Sequence, residues 1–275
     1  MTVAALTSRA LIALRGEAWR SFLQGLITQD VESLQPGELR YGALLTPQGR
    51  LMHDLFILGE TDGALLDVAA ETREALVAKL KLYRLRAKVE IQPVDGAILA
   101  AWGAKPDGKG WIIDPRLLDL GWRKLGGGEG GGAEPEAIYD AHRLALGVPD
   151  PAKEGRESDY PIELNLDLLN GIDFKKGCFV GQETTSRMHR RGKVRTRMAP
   201  IAFHGPAPAI GVDVTAGALR AGEVRSVADG RALAFLRMDR ATDTALTLEN
   251  RPATLELPPW LADSFQQPDN EPPQS

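Results

Sequence analysis

Cys178 is the single cysteine of 275 residues, and it lies in the run Lys175-Lys176-Gly177-Cys178-Phe179-Val180-Gly181-Gln182-Glu183. A thiol acts as nucleophile or metal ligand in its thiolate form, which neighbouring ammonium groups and a helix N-terminus both favour. Gly181 to Arg191 has the composition of such a short helix, with Gly192 as its stop. The bland alternative is a small buried hydrophobe, the usual state of a lone cysteine. Alone, Cys178 makes no intrachain disulfide, no Cys-rich zinc site and no four-thiolate cluster site. It can give an iron-sulfur cluster one transient ligand, with the rest supplied by a second subunit, a small thiol or a client. No resident metal site is expected, and a reducing compartment, the cytoplasm, is the expected location.

Just downstream, Arg187, His189, Arg190, Arg191, Lys193, Arg195 and Arg197 form a cationic cluster. RNA phosphates or the carboxylates of a polyglutamyl tail would suit it, and a solvated charged face is the plainer reading. No RNA-module signature with interleaved aromatics accompanies it, so direct nucleic-acid binding is not expected. A carboxylate suited to proton transfer or to the amino-amide edge of a heterocycle is Asp54, which falls inside an apolar strand pattern.

The elements that must position these groups can be read from periodicity. Ala10 to Leu14 predicts a strand, and Trp19, Phe22, Leu23 and Leu26 mark an amphipathic helix over residues 17–26. Tyr41 to Leu45 and Leu51 to Leu58 predict two strands joined by Thr46-Pro47-Gln48-Gly49. A strand over 64–68, a helix over 71–86 and strands over 89–94 and 97–102 follow. Pro135 opens a helix that ends at Gly147. The glycine-rich stretch 126–132 predicts a mobile loop. Short apolar runs between Gly, Pro and Asp turns from 194 to 257 predict a small β-barrel, and the polar, Pro-rich end a disordered tail.

Composition bounds the rest. Lys plus Arg number 33 against 37 Asp plus Glu, a net charge of −4 that argues against a surface built wholly for nucleic acid. Arg9 and Arg15 interrupt any signal-peptide core, and no uncharged run is long enough to cross a bilayer, so no membrane partner is expected.

Lys176-Gly177-Cys178-Phe179-Val180-Gly181-Gln182-Glu183 resembles the K-G-C-[FY]-x-G-Q-E signature of the YgfZ family. Glu163-Leu164-Asn165-Leu166-Asp167, Leu45-Thr46-Pro47-Gln48-Gly49-Arg50 and Leu82-Tyr83-Arg84-Leu85-Arg86-Ala87-Lys88-Val89 add to the likeness, which spans the chain to about residue 257. The run Thr184 to Arg195 looks more like the mitochondrial iron-sulfur assembly branch than the enterobacterial one. The family is itself similar to the glycine-cleavage T-protein, an aminomethyltransferase. The resemblance therefore implies an α+β fold: interlocked folate-binding subdomains over residues 1–193, a C-terminal β-barrel over 194–260 and a disordered tail over 261–275.

It also implies a ligand, tetrahydrofolate or a one-carbon derivative, and partners among iron-sulfur clients or scaffolds. By motif position Cys178 and Asp54 would be the chemically active pair. Asp54 would orient the folate, with Tyr83, Arg84 and Asn165 as further contacts. Lys176 and Arg187 would hold acidic groups, Gly177 and Gly181 would allow close backbone approach, and Gln182 and Glu183 would make polar contacts at the helix start. Where T-proteins carry two aspartates this chain has His53 and Asp54, and the T-protein Y-T-G-E segment has no counterpart. The implied function is folate-dependent assembly or repair of 4Fe-4S enzymes, with indirect support of tRNA modification. A folate-dependent one-carbon transferase and a tRNA-binding protein are the alternatives, and whether the chain is an enzyme stays open.

Overall fold

Strand pairing in the first half follows from alternating burial and tight turns. A computed structural model describes residues 1–127, 132–192, 194–242 and 244–266. In chain order β1 (Thr2–Ala5), β2 (Arg9–Arg15), α1 (Trp19–Gln24), β3 (Leu39–Leu45), β4 (Leu51–Glu60), β5 (Gly63–Ala69) and α2 (Arg73–Arg84) come first. Then come β6 (Glu90–Val94), β7 (Ile98–Trp102), β8 (Ile112–Ile113) and β9 (Trp122–Leu125). β3, β4, β5, β2 and β6 form one sheet in that order, and β1, β7, β9 and β8 a second. The expected hairpin at Thr46 to Gly49 is closed by Thr46 N–H donating to the Arg50 carbonyl, 2.8 Å, with Gly49 at φ 83° where a side chain would be strained.

One face of the five-stranded sheet is apolar. Ile12, Leu14, Leu55, Ile57, Leu66 and Val68 pack there with Trp19 and Leu23 of α1 and Leu76, Val77 and Leu80 of α2. Side chains alternate along a strand, so residues 54, 56 and 67 point to the other face. That opposite face carries charge.

The chain divides into two compact units, residues 1–139 with 169–182, and residues 140–168 with 183 onward. The second contains α4 (Pro151–Glu154) and most of α3 (Glu136–Ala145) and α5 (Gln182–Arg191). Its β10 (Thr196–Phe203), β11 (Asp213–Ala216), β12 (Leu219–Ala228), β13 (Arg231–Arg237), β14 (Leu246–Leu248) and β15 (Arg251–Leu255) close a barrel in the order β10-β13-β12-β11-β14-β15. α6 (Met238–Ala241) and α7 (Pro259–Gln266) complete it.

Two boundaries differ from those expected. Residues 140–168 side with the barrel because its strands hold them: Met198 N–H donates to the Glu163 carbonyl at 2.9 Å, and Arg225 Nη1 to the Glu154 carbonyl at 2.8 Å. The tail expected from 261 begins instead as α7, whose Leu261 and Phe265 are buried in the barrel core. A short apolar stripe inside a polar, Pro-rich context hid it. Residues 128–131 of the glycine-rich stretch, Lys193 and residues 267–275 lie outside the described residues.

Candidate functional site

The segment around the thiol is fastened on both sides of Cys178. Asp173 N–H donates to the Thr28 carbonyl at 2.9 Å, and Val180 N–H to the Gly25 carbonyl at 3.2 Å. Thr28 Oγ1 donates to the Gly171 carbonyl at 2.6 Å and accepts from Ala43 N–H at 2.8 Å, which ties the segment to β3. Asp173 Oδ1 accepts from Lys175 N–H and Lys176 N–H at 2.7 and 3.2 Å and shapes the turn.

Lys176 is the central fastening. Its buried ammonium donates to the carbonyls of Gln24, Ile27 and Gln29 at 2.8, 2.7 and 2.8 Å, using all three N–H groups. Burial pulls its pKa down to about 8, with Asp30 and Asp173 opposing the fall. The charge expected beside the thiol is thus spent on backbone carbonyls. Between buried Lys176 and buried Phe179, Gly177 and Cys178 are exposed. The sequence left a buried or a reactive cysteine open, and the fold presents the sulfur to solvent from a braced turn.

The two motif glycines separate. A Cβ on Gly181 (φ 81°) would lie 2.6 Å from the Thr46 carbonyl oxygen and 2.9 Å from Gly49 Cα, so this glycine seats the segment on the β3–β4 turn. At Gly177 a Cβ would meet nothing within 4 Å. The close backbone approach is therefore to the protein itself, and it belongs to Gly181. Gln182 N–H donates to the Phe179 carbonyl at 3.2 Å, Glu183 sits exposed in the first turn of α5, and Arg187 is exposed on that helix.

Asp54 stands in different surroundings. It is 3% exposed, and Arg9 Nη1 donates to its two oxygens at 3.2 and 3.0 Å. Arg9 Nε also reaches Asp67 Oδ1 at 2.6 Å, and Arg123 Nη1 reaches Asp67 Oδ2 at 2.5 Å. Arg116 forks onto Asp114 through Nε and Nη2 at 3.0 and 2.8 Å and donates to Tyr139 Oη at 2.7 Å. Three guanidiniums cover the Phe56 ring, with Arg123 Cζ 3.9 Å and Arg116 Cζ 4.8 Å from its centroid. Burial alone would raise the Asp114 carboxyl, but the charge of Arg116, helped by Arg123, more than offsets it and leaves the pKa lowered.

Three arginines and three aspartates thus neutralise one another between two sheets of the first unit. Asp54, expected to orient a folate, is therefore in this arrangement a buried member of an ion-pair layer, with Arg9 on both of its oxygens. The replacement of its neighbour by His53 has a local account: Nδ1 lies 3.3 Å from Thr72 Oγ1, and burial followed by the charge of Lys79 lowers its pKa. Sequence reasoning missed Arg9, Asp67, Asp114, Arg116 and Arg123. The one signal for them was Asp67, a charge inside the apolar run Ala64 to Val68.

The remaining expected contacts are structural where the hydrogen bonds are seen. Tyr83 packs half-buried against the helix-side core, and Arg84 Nη1 donates to the Val89 carbonyl at 3.1 Å. Asn165 belongs to the second unit, is fully buried at φ 63°, donates to the Met198 carbonyl at 2.8 Å and accepts from Arg197 Nη1 at 3.2 Å. Both ends of its amide are used within the protein. Arg197 also forks onto Asp167 at 2.9 and 2.8 Å, which removes it from the expected cationic face. Among the described residues no group of three or more His, Cys, Asp or Glu could hold a metal ion, and no helix is long and apolar enough to cross a membrane.

The chain is similar to known proteins in sequence and in fold. Residues 195–263 match the family model described as CAF17, C-terminal beta-barrel domain. The iron-sulfur cluster assembly factor IBA57, mitochondrial, of Homo sapiens is 32% identical over 75% of this chain and 68% of its own length. That of Mus musculus is 31% identical over 85% and 77%. The IBA57 homolog of Coccidioides immitis is 35% identical over 72% of this chain, which spans 56% of that relative's length. Among solved structures, the glycine cleavage system aminomethyltransferase T from Bartonella henselae matches with a TM-score of 0.75 at 16% identity, over 94% of this chain and 86% of that one. At that identity the likeness is one of fold.

The relatives are named as mitochondrial proteins, and this overturns the cytoplasmic location expected from the sequence. The physical reason is plain: a solitary reduced cysteine reports a reducing environment, not which reducing compartment provides it.

Proposed function

The chain belongs to the family of the iron-sulfur cluster assembly factor IBA57, and on that premise we propose that it assists assembly or repair of 4Fe-4S proteins through the thiol of Cys178. The observation that carries this reading is the exposed sulfur on a turn braced by the three carbonyl bonds of Lys176. A cluster in transit needs a ligand that an incoming protein can reach and that holds its position while bonds to iron are exchanged. One thiolate from this chain leaves the other ligands to the partner or a small thiol. The cluster is cargo. No other cysteine competes for it within the chain, so release is not opposed by a second internal thiolate.

A reduced folate remains part of the proposal on the strength of the aminomethyltransferase-like fold, with no residue role attached to Asp54 and no chemical step assigned to the folate. Radical enzymes that modify tRNA are clients consistent with a 4Fe-4S role.

Complementation tests the thiol. Cys178→Ser should leave the melting temperature of the purified chain unchanged and abolish recovery of aconitase-type activity in cells lacking the native protein. Full recovery by the serine variant would remove the sulfur from the function. Calorimetric titration with tetrahydrofolate tests the ligand separately, and absence of saturable heat would leave a folate-independent assembly factor. Product formation from methylene- or formyl-tetrahydrofolate by the purified chain would instead favour the transferase.

A further inference from the structure

The outer wall of the barrel carries a cavity of about 410 Å³ that the thiol-centred reading does not use. Arg220, Arg225, Arg237 and Arg240 line it, against the carboxylates of Asp159 and Glu223. Barrel strands alternate, so Ala234 and Leu236 of β13 fill the interior while Phe235 and Arg237 face outward. The register of β12 on β13 shifts between Val224 and Ser226, leaving Arg225 as the extra residue of a bulge. Bulges re-aim side chains, and here the guanidinium lies 4.7 Å from the Phe235 ring centroid. Arg225 is locked in place by the Glu154 carbonyl at 2.8 Å, Asp159 at 3.1 Å and Glu223 at 2.7 Å.

The two carboxylates in the lining are already committed. Glu223 faces three guanidiniums, those of Arg156, Arg220 and Arg225, at 2.7, 3.0 and 2.7 Å. Asp159 is held by Arg225. Arg220 and Arg237 have further partners in Asp213 and Asp239, which stand outside the lining. Arg240 donates Nη1 to the Arg220 carbonyl, its charge acts on Asp239, and it makes no direct ion pair among the described residues. A guanidinium carries five N–H donors, and the hydrogen bonds made by the lining residues Arg220, Arg237 and Arg240 use only some of them.

We propose that this cavity binds a small anion bearing phosphate groups. Guanidinium forks match the oxygens of phosphate, and Arg240 is the lining cation that makes no direct ion pair with a carboxylate among the described residues, although its charge also acts on Asp239. The volume lies within the range of small-molecule sites, roughly 300–1,000 Å³. A nucleic-acid strand is the poorer fit, since the one aromatic ring in the lining already carries Arg225 on it and offers no free stacking platform.

Calorimetric titration of the full chain with inorganic pyrophosphate, and separately with inorganic phosphate, at constant ionic strength tests the site. One saturable site is expected, weakened roughly tenfold or more by Arg240→Ala and by Arg237→Ala, with Arg240→Lys falling between. Both arginines sit at the surface, and unchanged circular-dichroism melting of each variant shows that the fold is kept. Cys178→Ser should bind as the wild type does, which separates this site from the proposed role of the thiol. No saturable binding of either anion overturns the proposal, as does binding that neither alanine variant weakens. Tighter binding of a short single-stranded RNA that pyrophosphate fails to displace would overturn the small-anion assignment.

Discussion

The turn that carries Cys178 and the charged layer around Phe56 treat ionic groups in opposite ways. In the turn a single buried cation, Lys176, is satisfied by neutral carbonyls, and the Cys178 sulfur two residues on is exposed to solvent. In the layer, six charges pair among themselves with every side chain at or below 7% exposure. The difference teaches that a charged residue at a family motif position can serve the fold while a neighbour is left open to solvent. Partnering and exposure, not residue type, separate the two.

The largest expected effect breaks the layer. Asp67 holds Arg9 through one oxygen and Arg123 through the other, so Asp67→Ala should cost roughly 3–5 kcal/mol by removing a carboxylate from two buried cations at once and leaving Arg9 only Asp54 and Arg123 only the more distant Asp114. Urea denaturation measures it. A loss below about 1 kcal/mol would mean that water or rearrangement serves the arginines and that the layer is not structural.

Next is the seat of the turn. Gly181→Ala should cost about 1–3 kcal/mol, since the added Cβ meets the Thr46 carbonyl at a left-handed backbone position. Gly177→Ala, in open space, should stay within about 0.5 kcal/mol. Equal costs at the two glycines would erase the distinction between the seated and the presented part of the motif.

The mildest test is pH. Burial holds the folded-state pKa of Lys176 at about 8 against 10.5 for a free lysine. Between those values the unfolded chain binds a proton that the folded chain has lost. Stability of the wild type relative to Lys176→Met should therefore rise with pH across that window and stay level below it. A falling difference would mean that the three carbonyl bonds outweigh desolvation and raise the pKa instead.

Much of the scaffold was legible in advance. The strands at 10–14, 41–45, 51–58 and 64–68, the helix ending at Gly192 and the all-β character after 194 followed from period and turn chemistry, which are local properties. Strand β1 and helix α7 were missed because each is short, and their apolar residues find partners distant in sequence.

The site was legible in part. The chain by itself determined that one thiol exists, that it sits among lysines and glycines, and that it can give at most one ligand. Exposure of that thiol, the turning inward of Lys176, the enclosure of Asp54 by Arg9 and the convergence of four arginines on the barrel wall were decided by tertiary structure. These outcomes depend on which distant carbonyls, carboxylates and strands arrive beside a residue. Local sequence spacing carries no record of that.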